Sequence, residues 1–137
     1  MPYLFVGPIV EVGSNLFGSD VNHHIDHTTC LLKNARKCGL WVSNFVTPKD
    51  GSCFFHTVNH QLSRIGVSAP TSTELRKQVV EYIKTLPNSD PVIDTAVIPD
   101  IDLYLGQLRL ETTWADAVVV NAVARMLCRR IVVVTHQ

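Results

Sequence analysis

Asp50-Gly51-Ser52-Cys53 is the stretch of this chain best equipped for chemistry. Its residues favour a turn, and Phe54, Phe55, Val58 and Leu62 follow at helical spacing. A thiol is weakly nucleophilic until it loses its proton. A helix N-terminus supplies partial positive charge and open N–H groups, which lower a cysteine pKa. Cys53 is therefore expected to alkylate faster than the chain's other thiols near neutral pH. Gly51 is expected to supply the unusual dihedrals of a tight turn. Backbone N–H groups of that turn would hold the oxyanion of an attacked carbonyl. The chemistry implied is nucleophilic acyl transfer, with nucleophile, activation and oxyanion site in one segment. A buried structural cysteine at a helix start has the same local pattern, so the rest of the chain must decide.

Several elements must position this turn. Residues 3–11, 23–32 and 40–46 read as strands, and 33–39 as a turn or a short helical piece. Thr71-Ser-Thr-Glu74 is a capping-box signature. It opens a helix through about Thr85 with Leu75, Val79, Tyr82, Ile83 and Leu86 inward. Residues 87–99 read as a long connection. Pro99 starts a short helix carrying Ile101, Tyr104, Leu105 and Leu108. Thr112 or Thr113 is expected to cap a helix from Trp114 to about Cys128, and Ile131-Val-Val-Val134 reads as a buried strand.

At 137 residues the chain is one domain's worth, 1–137, and long enough to bury a core without staples. It is 46% hydrophobic and 18% charged, with zero net charge. That excludes an electrostatic nucleic-acid binder and a polybasic membrane-surface protein. The apolar N-terminus is short and interrupted by Pro8 and Glu11, so it reads as a strand, not a signal peptide. No apolar run reaches membrane-spanning length. Cys30, Cys38, Cys53 and Cys128 fit no paired zinc spacing and are expected to be free thiols in a reducing compartment. Cys30, Cys38 and Cys128 are expected to be buried structural thiols.

Asp50-Gly-Ser-Cys-Phe-Phe-His-Thr57 resembles the signature of the ovarian-tumour (OTU) cysteine proteases, an Asp-Gly-x-Cys turn opening the central helix. Thr113-Trp-Ala-Asp116, Asn121 to Leu127 and Ile131 to Val134 resemble that family's second block. Glu74 to Tyr82 is similar to the helix between the two. The resemblance spans about residues 46–134 and implies an α+β, papain-type fold with a small central sheet, mixed or antiparallel, flanked by helices. It implies a deubiquitinase with a Cys-His-Asp triad, without metal or organic cofactor. The partner it implies is ubiquitin or polyubiquitin, or a ubiquitin-like modifier. Trp114 and Asp116 would be architecture near the site.

The base departs from the family pattern. OTU enzymes place their histidine late in the chain, and here the only late one is His136, with nothing after it to orient it. Upstream, His24-Ile25-Asp26 repeats the family's local order of His, apolar, Asp. On a strand, residues two apart share a face, so Asp26 would lie beside His24 and fix its tautomer. The reading is then a circular permutant, with the His strand moved to the N-terminus. His23 and His27 remain alternative bases, and Asp50 an alternative orienting acid. His56 and His60, on the nucleophile's helix, read as packing or partly exposed. His23, His24, His27 and Cys30 also form a cluster of metal-ligand types, but strand alternation splits them and a zinc site is awkward. A domain whose base is missing would bind ubiquitin without turnover. The chain is expected to act as a monomer in a cytoplasm, and its small size would suit a pathogen effector in a host cytosol.

Overall fold

The computed structural model describes residues 3–6, 33, 37, 48, 50–93 and 98–133. Their elements are strand β1 (Tyr3–Val6), helices α1 (Cys53–Arg64), α2 (Ser72–Thr85), α3 (Ile101–Leu108) and α4 (Ala117–Met126), and strand β2 (Arg130–Val133). β1 pairs in parallel with β2, Tyr3 opposite Arg130 and Val6 opposite Val133. The described pairing is therefore not antiparallel. The expected strands at 23–32 and 40–46 lie outside the described residues, as does the remainder of 3–11. Lys33 and Lys37 are helical.

Helix α1 exists because Phe55, Val58 and Leu62 recur on one face, and all three are buried. It ends at Gly66, whose φ of +77° lets the Gly66 and Val67 N–H groups return to the Ser63 and Leu62 carbonyls. Helix α2 starts at the expected capping box. The Thr71 hydroxyl accepts from the Glu74 N–H, and the Glu74 carboxylate accepts from the Thr71 N–H. Leu75, Val79, Val80 and Ile83 bury its inner face against α1 and α4. Val119, Ala122 and Val123 of α4 complete the core.

Two expectations need correction. The last helix is capped by Asp116, not by Thr112 or Thr113, and runs only to Met126. The Asp116 carboxylate accepts from the Val119 N–H, whereas Thr113 Oγ1 donates to the Gln107 carbonyl. Cys128 is exposed, not buried. It ends α4 with φ +51°, where its N–H and that of Arg129 reach the Arg125 and Ala124 carbonyls. It thus holds the left-handed place that glycine usually takes.

Candidate active site

Cys53 is the first residue of α1, and Asp50, Gly51 and Ser52 form the turn that delivers it. The turn is tied to itself. Asp50 Oδ1 accepts from the Ser52 N–H at 2.9 Å, and the Asp50 carbonyl accepts from the Cys53 N–H at 3.3 Å. The Cys53 carbonyl accepts from Thr57 Oγ1 at 2.9 Å. The turn is also tied to the 109–116 loop. Ser52 is buried, and its hydroxyl donates to the Glu111 carbonyl at 3.1 Å.

Gly51 is required here, though for a reason different from the expected one. Among the described glycines only Gly66 has a positive φ. What Gly51 provides is space. A Cβ on it would sit 2.4 Å from the Thr112 carbonyl carbon and oxygen and 2.5 Å from the Glu111 oxygen. The turn and the loop meet backbone to backbone, and no side chain fits between them.

The electrostatics of Cys53 also differ from expectation. Burial pushes its thiol above the ordinary range, and the nearby Asp50 carboxylate pushes the same way. The Phe54 and Cys53 N–H groups and the Arg76 guanidinium pull down but do not win. Half-burial of the thiol thus outweighs the helix N-terminus. Among the described residues the charges acting on Cys53 are those of Asp50, which contacts His56, and Arg76, which feels the charge of Glu111. Alkylation of Cys53 by iodoacetamide is accordingly expected to rise with pH to a midpoint above that of an ordinary thiol. A midpoint below neutrality would contradict this balance.

Two further side chains reach the turn: His56, which the sequence reads as packing or partly exposed, and Arg76, which it does not single out. His56, one turn into α1, is a quarter exposed and lies with Nε2 3.1 Å from Asp50 Oδ2. Asp50 thereby uses one oxygen for the Ser52 N–H and the other for His56. Arg76 of α2 is 1% exposed and reaches the turn from below. Its Nη2 donates to the Gly51 carbonyl at 3.0 Å and to Ser52 Oγ at 2.9 Å. The only sequence signal for Arg76 was its place beside Leu75 in the apolar stripe that continues to Val79 and Ile83. A cavity of about 260 Å³ opens beside the turn, lined by Asp50, Ser52, His56, Thr73 and Glu111 among others.

Asp116 is held by Tyr104, whose hydroxyl donates to both carboxylate oxygens at 2.9 and 3.0 Å. Burial and that carboxylate push the Tyr104 hydroxyl well above the ordinary phenol range. Asp116 is thus a helix cap with a braced carboxylate. Of the other expected site residues, His24 and Asp26 lie outside the described residues. So do the alternatives His23, His27 and His136, and Cys30 of the metal cluster. Among the described residues no three His, Cys, Asp or Glu side chains converge as metal ligands. No described helix is long and apolar enough to cross a membrane.

The family model of the OTU-like cysteine proteases matches residues 48–137 of the chain. The match takes in the turn, helices α1 to α4 and β2. No curated protein and no solved structure matches the chain.

Proposed function

The chain belongs to the OTU-like cysteine proteases, and from that premise we propose that it is a deubiquitinase cleaving isopeptide bonds at the ubiquitin C-terminus. The observation that carries the proposal is Cys53 at the first position of α1, behind a turn clamped on both sides, inside the matched stretch. Members of the family act on ubiquitin, which supplies the substrate class. A ubiquitin-like modifier carries the same C-terminal carbonyl chemistry.

The raised thiol pKa makes a general base a requirement of the mechanism. In the proposed reaction His24 takes the Cys53 proton, and Asp26 orients His24. The sulfur attacks the carbonyl of the C-terminal glycine. Backbone N–H groups of the Asp50 to Cys53 turn hold the oxyanion. The carbon–nitrogen bond breaks as His24 returns the proton to the leaving lysine amine. Water, deprotonated by His24, then opens the thioester and restores the thiol. Asp50 steadies the turn through Ser52 and is the alternative orienting acid. The permuted order draws support from the parallel pairing of Tyr3–Val6 with Arg130–Val133, which lays the start of the chain along β2. The reading takes 1–137 as one catalytic domain, monomeric and working in a cytosol.

Hydrolysis of polyubiquitin by wild type, His24→Ala and His23→Ala tests the assignment. Folded His24→Ala is expected to lose roughly 10²–10⁴-fold in kcat, with His23→Ala close to wild type. Loss confined to His23→Ala would move the base by one residue. A folded wild type that hydrolyses no chain would sink the deubiquitinase reading.

A further inference from the structure

Arg76 is the largest side chain that the described core buries completely. Its Nη1 donates to the Leu108 carbonyl at 2.8 Å. Its Nη2 is shared by the Gly51 carbonyl, Ser52 Oγ and the Glu111 carbonyl, the last at 3.2 Å. The guanidinium stacks on Phe55 at 4.6 Å from the ring centre. Among the described residues its Nε finds no partner. Among the described residues every hydrogen bond it makes goes to a carbonyl or hydroxyl oxygen, and none goes to a carboxylate.

A buried charge is a costly way to pin two loops together, because apolar residues of similar volume pack as well or better. This one is also directed. Two of its four acceptors belong to the residues immediately before Cys53, and the other two to the 108–111 segment that Gly51 abuts. Fixing the Gly51 carbonyl fixes the Gly51–Ser52 peptide plane. The Ser52 hydroxyl is fixed from two sides, by Arg76 and by the Glu111 carbonyl. The peptide plane carries the Ser52 N–H, which Asp50 holds, and leads directly into Cys53, so the course of the turn is set from α2. The guanidinium charge, with Asp50 and Glu111 only at longer range, remains to act on Cys53.

We propose that Arg76 is a positioning residue for the reaction: its guanidinium aims the Gly51–Cys53 turn and holds positive charge against the Cys53 thiolate. The proposal rests on Cys53 being an acyl-transfer nucleophile, as proposed above, but not on ubiquitin being the acyl donor.

The test uses two small reagents on the whole chain, read by peptide mass spectrometry with Cys128 as the internal control. Iodoacetamide alkylates sulfur and forms no oxyanion. With p-nitrophenyl acetate the sulfur attacks the ester carbonyl, an oxyanion forms, and p-nitrophenolate leaves. Folding of each variant is checked by thermal melting. Arg76→Gln removes the charge, so alkylation of Cys53 near neutral pH is expected to fall by roughly threefold. Its midpoint moves to higher pH, and Cys128 is unmoved. Arg76→Lys keeps the charge but loses the planar fork. Its alkylation is expected to stay within about twofold of wild type. Its acylation is expected to fall roughly tenfold.

An arginine that only stabilises the fold would lower the melting temperature and leave both the alkylation midpoint and the acylation-to-alkylation ratio unchanged. That result overturns the proposal. Should Arg76→Gln fail to fold, the ratio in Arg76→Lys decides. Should both fail, Ser52→Ala, which removes one acceptor of Nη2, decides by the same ratio. Failure of the wild type to cleave ubiquitin chains would overturn the substrate reading and leave these measurements standing.

Discussion

Cys53→Ala is expected to abolish hydrolysis of ubiquitin chains, by about 10⁵-fold in kcat, while leaving the fold in place. Alanine is the best helix former, so the start of α1 tolerates it. The Cys53 backbone contacts, its N–H to the Asp50 carbonyl and its carbonyl to Thr57 Oγ1, do not involve the sulfur. Only Sγ is lost, and the residue is half-buried, so little packing goes with it. The measurement is chain hydrolysis followed by gel, with thermal melting beside it. Binding of ubiquitin should survive the substitution. A folded Cys53→Ala protein that retains turnover within tenfold of wild type would show that another group attacks the carbonyl.

The second large effect is expected at Gly51. Gly51→Ala places one carbon against the Thr112 carbonyl carbon and oxygen at 2.4 Å and the Glu111 oxygen at 2.5 Å. These are backbone atoms of a loop held by Thr113 on Gln107, by Ser52 on Glu111 and by Arg76 on Leu108 and Glu111. Neither side yields cheaply. Overpacking of this kind costs about 1–3 kcal/mol of stability. A displacement of the turn near 1 Å would cost on the order of 10²-fold in kcat. Melting and kinetics should therefore fall together in Gly51→Ala. A variant with wild-type kcat and melting temperature would mean that the turn and the loop do not meet as described.

These two positions show how far the sequence carried the reading. Cys53, the turn before it and α1 behind it are local features, and the order of residue types shows them directly. The Thr71–Glu74 capping box and the α2 stripe of Leu75, Val79 and Ile83 are equally local. The family was legible because the turn and the second block stand in order at a set spacing. What escaped was tertiary. The reason for Gly51 lies across a gap to Glu111 and Thr112, some sixty residues away, and a local pattern offers only a dihedral explanation. Arg76 reads as a surface charge until α2 is docked on α1, when its place in the apolar stripe carries it into the core. The thiol of Cys53 was expected to ionise easily from its helix position alone. Its burial depends on what packs around the turn, and burial dominated. Thr112 or Thr113 was the cap that the sequence suggested for α4, but the Asp116 carboxylate meets the Val119 N–H while Thr113 is turned to Gln107.

The central claim is that Cys53 attacks the ubiquitin C-terminal carbonyl. Its most direct test is a ubiquitin whose C-terminal carboxylate is replaced by a thiol-reactive electrophile, incubated with the wild type and with Cys53→Ala. The expected result is one covalent adduct on the wild type, mapped by peptide mass spectrometry to the peptide containing Cys53, and none on Cys53→Ala. An adduct on Cys30, Cys38 or Cys128, or a folded wild type that forms none, would contradict it.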